Sequence, residues 1–277
     1  MSSTPSLTDL RFDDAGADVG EAVAAHPLLG ALLARRTVRR YTDAVPDEAL
    51  LGAIEAAALC ASSKSDFQQA SILRVREAAI RSALGALFPA MPWIGAAPVF
   101  YVFLADARRL ERIGTLRGKA VDNGTLEGFF NATVDAALVL QTFVLAAESA
   151  GLGCCPISVI RNRIEVVAPL LGLPDQVFPV AGLCVGEPAD ASHLSLRLPR
   201  RVTLHTDQHD DGALAEAIEA YDQRRHARHA IAPAQQRSPA RFGEAAFYGW
   251  SEDKARQAAE PEGAAFGPWL RAHGFTL

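Results

Sequence analysis

The chain has 277 residues, 49% of them hydrophobic, enough to bury the core of one large domain or two modest ones. Its 27 basic and 32 acidic residues leave a net charge of −5, which argues against a general nucleic-acid binder, because such proteins carry an excess of Lys and Arg. The four cysteines, Cys60, Cys154, Cys155 and Cys184, form no C-x-x-C pair and no dense framework, so reduced thiols in a cytoplasm are the simplest reading.

Residues 1–20 carry Asp9, Asp13, Asp14 and Asp18 without a basic start or an apolar run, unlike a signal peptide, and read as a loose arm. The apolar stretches at 94–105 and 136–140 are shorter than the ~20 residues that span a bilayer, so no membrane partner is expected.

Leu28, Leu29, Leu32 and Leu33 predict a helix that begins after Pro27 and delivers Arg35, Arg36, Thr37, Val38, Arg39 and Arg40. Pro46-Asp47 opens a second helix with Asp47 as N-cap and Leu50, Ile54, Ala57 and Ala61 on one face. Residues 71–76 read as a strand, 78–87 as a helix and 98–105 as a buried strand. Residues 108–128 are polar and aperiodic and read as a mobile excursion.

From Thr133 to Ser149 runs a long helix, apolar almost all round, which suits a core or a dimer interface; Gly151 and Gly153 stop it. Asn162 and Glu165 suggest a capping box for a short helix that ends at Gly172. A buried strand is expected at 178–185, a loop at 197–210, a helix from Leu214 past Arg224, Arg225 and Arg228, and another at 250–259. Strands and helices without regular alternation favour an α+β fold.

Four arginines within six residues beside a threonine hydroxyl form donors suited to an oxyanion, since guanidinium binds phosphate bidentately and stays charged. Arginines at a helix end also suit the macrodipole and need do nothing else. Ser63, Ser65 and Gln68, one helix further on, add neutral donors suited to a polar ring edge. Gly151-Leu152-Gly153 lacks the third glycine of a dinucleotide fingerprint, and no Walker sequence is present. The pairs His205/His209 and His226/His229 lie in polar surroundings and read as surface histidines, so no metal site is expected.

The run from Arg35 to Asp43, the cluster from Cys60 to Gln68, Ala147 to Gly153, Ile160-Arg161-Asn162, Gly182 to Asp190 and Arg197-Leu198-Pro199, in this order, resemble the nitroreductase superfamily. They are most similar to its oxygen-insensitive NADPH nitroreductase and NADPH-flavin oxidoreductase branch, across about residues 30–225. The resemblance implies a central, mostly antiparallel sheet flanked by helices in a domain-swapped homodimer. It divides the chain into an arm and first helix (1–30), an FMN-binding domain (31–230) and a C-terminal extension (231–277) that packs on the domain or the partner subunit.

By the same resemblance, Arg35, Arg36, Thr37 and Arg39 surround the FMN phosphate and ribityl chain. Ser63, Lys64, Ser65 and Gln68 line the flavin, Ser158, Val159 and Ile160 offer it backbone amides, and Arg197 is a nearby cation. Arg224, with Arg225 as rival, would bind the NADPH phosphate.

The chain departs from the branch at Ser195, where a lysine is common, at Met91, often glutamine, at Lys64, often small and polar, at Arg35, often histidine, and at Ser158 and Val159, often glycines. The implied activity is ping-pong hydride transfer from NADPH through FMN to nitroaromatic, quinone or flavin acceptors, with no catalytic side chain. A specialised dehalogenation or biosynthetic oxidation, or a non-catalytic nucleotide-binding module, is the alternative.

Overall fold

The computed structural model describes residues 6–12 and 20–277. The chain folds as two compact units: a helical one, Met1–Arg35 with His193–Pro261, and a sheet-bearing one, Arg36–Ser192 with Glu262–Leu277.

In chain order the helical unit begins with α1 (Leu7–Phe12), α2 (Gly20–Ala25) and α3 (Pro27–Ala34). Pro27 opens α3, as expected, because its missing N–H costs nothing in the first helical turn. The arm expected over residues 1–20 is corrected where it is described: residues 7–12 are helical, and the Thr8 and Arg11 side chains are buried. Residues 1–5 and 13–19 lie outside the described residues.

The sheet unit follows with α4 (Glu48–Leu59), β1 (Ala70–Arg74), α5 (Ala78–Leu87), α6 (Trp93–Ala96), β2 (Val99–Asp106), α7 (Arg108–Leu116) and α8 (Leu126–Ser149). It continues with β3 (Gly153–Ile157), α9 (Ile164–Leu170) and β4 (Val177–Gly186). The chain then enters the helical unit for α10 (Arg200–Thr203), α11 (Leu214–Arg228), α12 (Pro239–Phe242) and α13 (Trp250–Ala258), and returns to the sheet unit with α14 (Phe266–Ala272).

The four strands form one antiparallel sheet in the order β1-β2-β4-β3. β2 is buried on both faces. Tyr101 and Phe103 enter a core with Leu51, Ile54 and Ala58 of α4 and Phe143 of α8, whereas Phe100, Val102 and Leu104 enter a second core with Leu84, Phe88, Ile94 and Val167. An unbroken Val/Phe/Tyr run is what a strand covered on both sides requires.

Asp47 caps α4 as expected, accepting from the Ala49 and Leu50 amides at 2.9 and 3.1 Å. Of the face expected from Leu50, Ile54, Ala57 and Ala61, Ile54 is buried and Leu50 and Ala61 pack against the core, whereas Ala57 is exposed; Leu51 and Ala58 are buried as well.

The excursion expected over 108–128 instead contains α7, whose start is held by the Asp106 carboxylate accepting from the Arg109 amide at 3.1 Å, and the first turn of α8, capped by Thr125. Asn162 caps nothing, because residues 159–163 form a 3-10 turn that places Arg163 ahead of α9. The loop expected over 197–210 contains the single turn α10.

β3 was not expected. Gly153 and Pro156 disguise it, and both are tolerated because β3 lies at the sheet's margin, where Pro156 is exposed. After α8 the chain turns at Gly151 with φ +81°, a left-handed conformation that glycine adopts without strain.

α8 is, among the described residues, the one helix long and apolar enough to cross a bilayer, but one face, with Ala132, Ala136, Val139, Phe143 and Ala147, is buried in the core. Its other face leaves Leu126, Phe130, Val134 and Leu138 exposed by 65, 60, 38 and 41%, one stripe at four-residue spacing.

The helical unit leans on buried charge. Asp222 accepts from the Ser251 amide at 3.0 Å, and Arg256 donates to the Arg237 and Gly243 carbonyls. Asp253 accepts from Arg237 Nε and the Tyr248 hydroxyl, both at 3.1 Å, and pairs with Lys254 at 2.7 Å.

Burial pushes the Asp253 carboxyl up, but the hydrogen bond and charge of Lys254 and the charge of Arg237 outweigh it and hold the group below its ordinary range. A carboxylate so depressed stabilises the fold above its unfolded value and loses that contribution as pH falls below about 4. The amides of 237–256 are therefore expected to exchange faster at pH 3 than the pH dependence of chemical exchange explains. Asp253→Asn should flatten that excess while costing about 1–3 kcal/mol at neutral pH; equal pH profiles for the two proteins would remove Asp253 from the account.

Candidate functional site

Along residues 36–41 the side chains differ in exposure. Val38 is buried; Arg36 and Arg39 are exposed; Thr37 is half-buried. The Val38 N–H donates to the Cys154 carbonyl at 3.0 Å, and Thr37 bridges Cys154 in parallel, so this segment lies along the outer margin of β3.

The four arginines do not form one cluster. Arg40 pairs with Asp190, and the Arg39 guanidinium lies 5.6 Å from the Trp93 ring centroid, a cation–π contact that orients it. Arg35 belongs to the helical unit. Of the residues expected around an anion, Arg36, Thr37 and Arg39 belong to the sheet unit.

Close approach of this segment to β3 depends on Gly153, where an added Cβ would fall 2.7 Å from Val38 Cβ and both of its methyl groups. Below the segment, the Tyr41 hydroxyl donates to the Val38 carbonyl at 2.7 Å, with the Cys184 carbonyl 3.3 Å away, and burial pushes the phenol up, so it stays neutral. β3 then leads from Cys154 to the turn that begins at Ser158. At about 3.3 Å per residue the two ends are about 13 Å apart. Ser158 is exposed, Val159 half-buried and Ile160 buried, so what this turn can offer is main chain and the serine hydroxyl.

Ser63, Lys64, Ser65 and Gln68 share the loop between α4 and β1. The Gln68 N–H donates to Ser63 Oγ at 2.6 Å, and Ser65, Asp66 and Gln68 have φ of +46, +58 and +53°, where non-glycine residues are strained. One end of the loop is also held from below: Arg109 donates to the Gln68 and Ala70 carbonyls and to Ser71 Oγ. A cavity of about 380 Å³ opens beside the loop, with Ser62, Ser63 and Gln68 on its polar wall and Leu59, Ile72 and Val139 on its apolar wall. Lys64 is exposed.

Two residues absent from the sequence reading organise these groups. Asp135, buried in α8, accepts from Ser63 and from the Lys64 and Gln69 amides. Arg11, buried in α1, donates to the carbonyls of Leu33 at 2.7 Å, Ser195 at 2.6 Å and Arg35, and its own carbonyl accepts from the Arg197 amide at 2.8 Å. It thereby fixes Arg35, Ser195 and Arg197 within the helical unit.

Arg197 is exposed there. Arg224 donates to the Phe12 and Arg197 carbonyls at 3.2 and 3.3 Å and packs over Tyr221; burial and then the charge of Arg228 pull its guanidinium down. Arg225 is half-buried on the same helix.

The guanidiniums and main-chain groups along β3 and the polar loop that leads into β1 stand at opposite margins of the sheet, and each suits a part of a flavin mononucleotide. Among the described residues no group of three or more His, Cys, Asp or Glu side chains is arranged to hold a metal, and all four cysteines are free thiols.

The chain is similar to proteins of a known family. The model of the nitroreductase family matches residues 32–187, and that of the nitroreductase family C-terminal domain matches residues 195–277. The chain is 35% identical over 201 residues, 71% of its length and 80% of the relative's, to a Bacillus subtilis protein named FMN reductase [NAD(P)H]. It is 39% identical over 183 residues, 66% of its length and 75% of the relative's, to the oxygen-insensitive NADPH nitroreductase of Salmonella typhimurium. The solved structure of B. megaterium NfrA2 superposes with a TM-score of 0.81 at 29% identity, covering 90% of this chain and 98% of that one. The chain belongs to the nitroreductase family.

Proposed function

We propose that the protein is an FMN-dependent oxidoreductase that takes electrons from NADPH and delivers them to nitroaromatic, quinone or flavin acceptors. The observation that carries this is the arginine segment laid along β3, which sets Arg36 and Arg39 at one end of a strand and the Ser158–Ile160 main chain at the other. Relatives named FMN reductase and NADPH nitroreductase support it.

FMN, when bound, supplies the hydride chemistry. The protein's part is position and charge. Arg36 and Arg39 hold the phosphate, Thr37 donates to the ribityl chain, and the main chain at 158–160 orients the ring; Ser63, whose hydroxyl donates to Asp135, lines the site without donating to it. Ser65, Lys64 and Gln68 line its other side. Lys64 adds positive charge where reduction makes the ring more anionic.

The exposed α8 stripe Leu126, Phe130, Val134 and Leu138 supports a homodimer, with each site lined by loop 62–69 of one subunit and the β3 margin of the other. The free thiols suit a cytoplasmic location.

Of the two candidates for the NADPH phosphate, Arg225 is the better, since Arg224 is committed to two main-chain carbonyls and to Tyr221. The purified protein is expected to be yellow with one FMN per chain and to oxidise NADPH with a nitroarene or quinone. In Arg225→Ala the KM for NADPH should rise about tenfold or more, as for loss of a charge-assisted pair, with that for NADH unchanged. A colourless protein that takes up no FMN would refute the flavin reading, and equal effects on both nicotinamides would refute the assignment of Arg225.

A further inference from the structure

We propose that Asp135 is a positioning residue for the flavin-lining loop, acting through main-chain and hydroxyl donors. The inference rests on the reading that loop 62–69 lines the FMN site.

Asp135 is a carboxylate 1% exposed on the core face of an otherwise apolar helix, between Ala132, Ala136 and Val139. Burying an acceptor there is costly unless every oxygen is matched. Three donors match it: Ser63 Oγ at 2.7 Å and the Gln69 amide at 3.0 Å on Oδ2, and the Lys64 amide at 3.0 Å on Oδ1. Ser63 and Lys64 begin the loop and Gln69 ends it, so one carboxylate ties both ends to the rigid long helix.

Between these anchors lie Ser65, Asp66 and Gln68, all with positive φ. Three non-glycine residues in that region will not hold such a conformation unless the surroundings over-determine it. The outer lock is Gln69, fully buried, whose carbonyl accepts from the Asp106 amide at 2.8 Å and whose Oε1 accepts from Asn123 at 2.7 Å. With its ends fixed by Asp135 and by β2, the loop presents Lys64, Ser65 and Gln68 outward as exposed side chains. A polar group that only filled the core would not be matched donor for donor by a strained loop.

Asp135→Asn keeps the size and one carbonyl acceptor but turns the other oxygen into a donor that faces existing donors. It is expected to weaken FMN binding at least tenfold, read as flavin release from the diluted holoenzyme, and to alter the visible circular dichroism of the retained flavin at temperatures well below the melting transition. Amide exchange at Lys64 and Gln69 should accelerate while that of β2 stays slow.

A flavin dissociation constant within twofold of wild type and an unchanged dichroism band would overturn the proposal. Should the variant not fold, the wild type decides: Lys64 and Gln69 amides that exchange as slowly as those of β2 support the brace, and fast exchange overturns it. If the wild type itself binds no FMN, the functional reading fails, while the exchange measurement still judges the brace.

Discussion

Phe143→Ala is expected to lower the unfolding free energy by about 3–5 kcal/mol, measured as a shift of the denaturant midpoint with little change of slope. Phe143 is fully buried, its ring 4.7 Å from Tyr101 and 5.5 Å, edge-on, from Phe103. The loss belongs at the upper end because the neighbours are pinned and the cavity cannot collapse. The Tyr101 hydroxyl donates to Glu55 at 2.6 Å, and both rings stand on the central strand β2. Phe143→Leu, which refills most of the volume, should cost no more than about 1.5 kcal/mol. If alanine cost as little as leucine, the aromatic cluster would not be what joins α8 to the sheet.

The second large effect is expected at Gly153. An alanine methyl there would press on three atoms of Val38 at 2.7 Å, and Val38, being β-branched and buried, cannot rotate away. The arginine segment would have to lift from β3 and lose the Val38–Cys154 hydrogen bond. Gly153→Ala should cost about 2–3 kcal/mol by overpacking and weaken FMN binding by more than the stability loss alone explains, because Arg36 and Arg39 move with the segment. Val38→Ala in the same chain removes two of the three clashing atoms and should recover part of both. Normal flavin affinity in the single variant would show that the arginines do not depend on this approach.

The elements legible in the sequence were those with strong local signals. α5, α11 and α13 follow helical periodicity, Asp47 announces α4, and the apolar runs of β2 and β4 sit within a residue or two of their expected bounds. α7 and β3 were missed because their composition, charged in one and rich in glycine, cysteine and proline in the other, is licensed by tertiary surroundings.

The site was half legible. Density of arginine pointed to an anion, but density cannot say that Arg40 pairs with Asp190 while Arg39 lies by Trp93. Asp135 left a faint trace, a lone acid in step with Ala132, Ala136 and Val139. Arg11 left none, since α1 is too short to show a period.

The return of the chain to the sheet unit after residue 261 bears on how that unit is made. Trp269, Leu270 and Phe275 are buried in the core, where Phe275 meets Phe129 and Phe178, and the Thr276 amide donates to the Gly124 carbonyl at 2.7 Å. The strands are all synthesised by residue 186, yet one flank of their core stays open while the ribosome adds some ninety more residues, several seconds of work at ~5–20 residues per second. During that interval Phe129 and Phe178 lack their final cover.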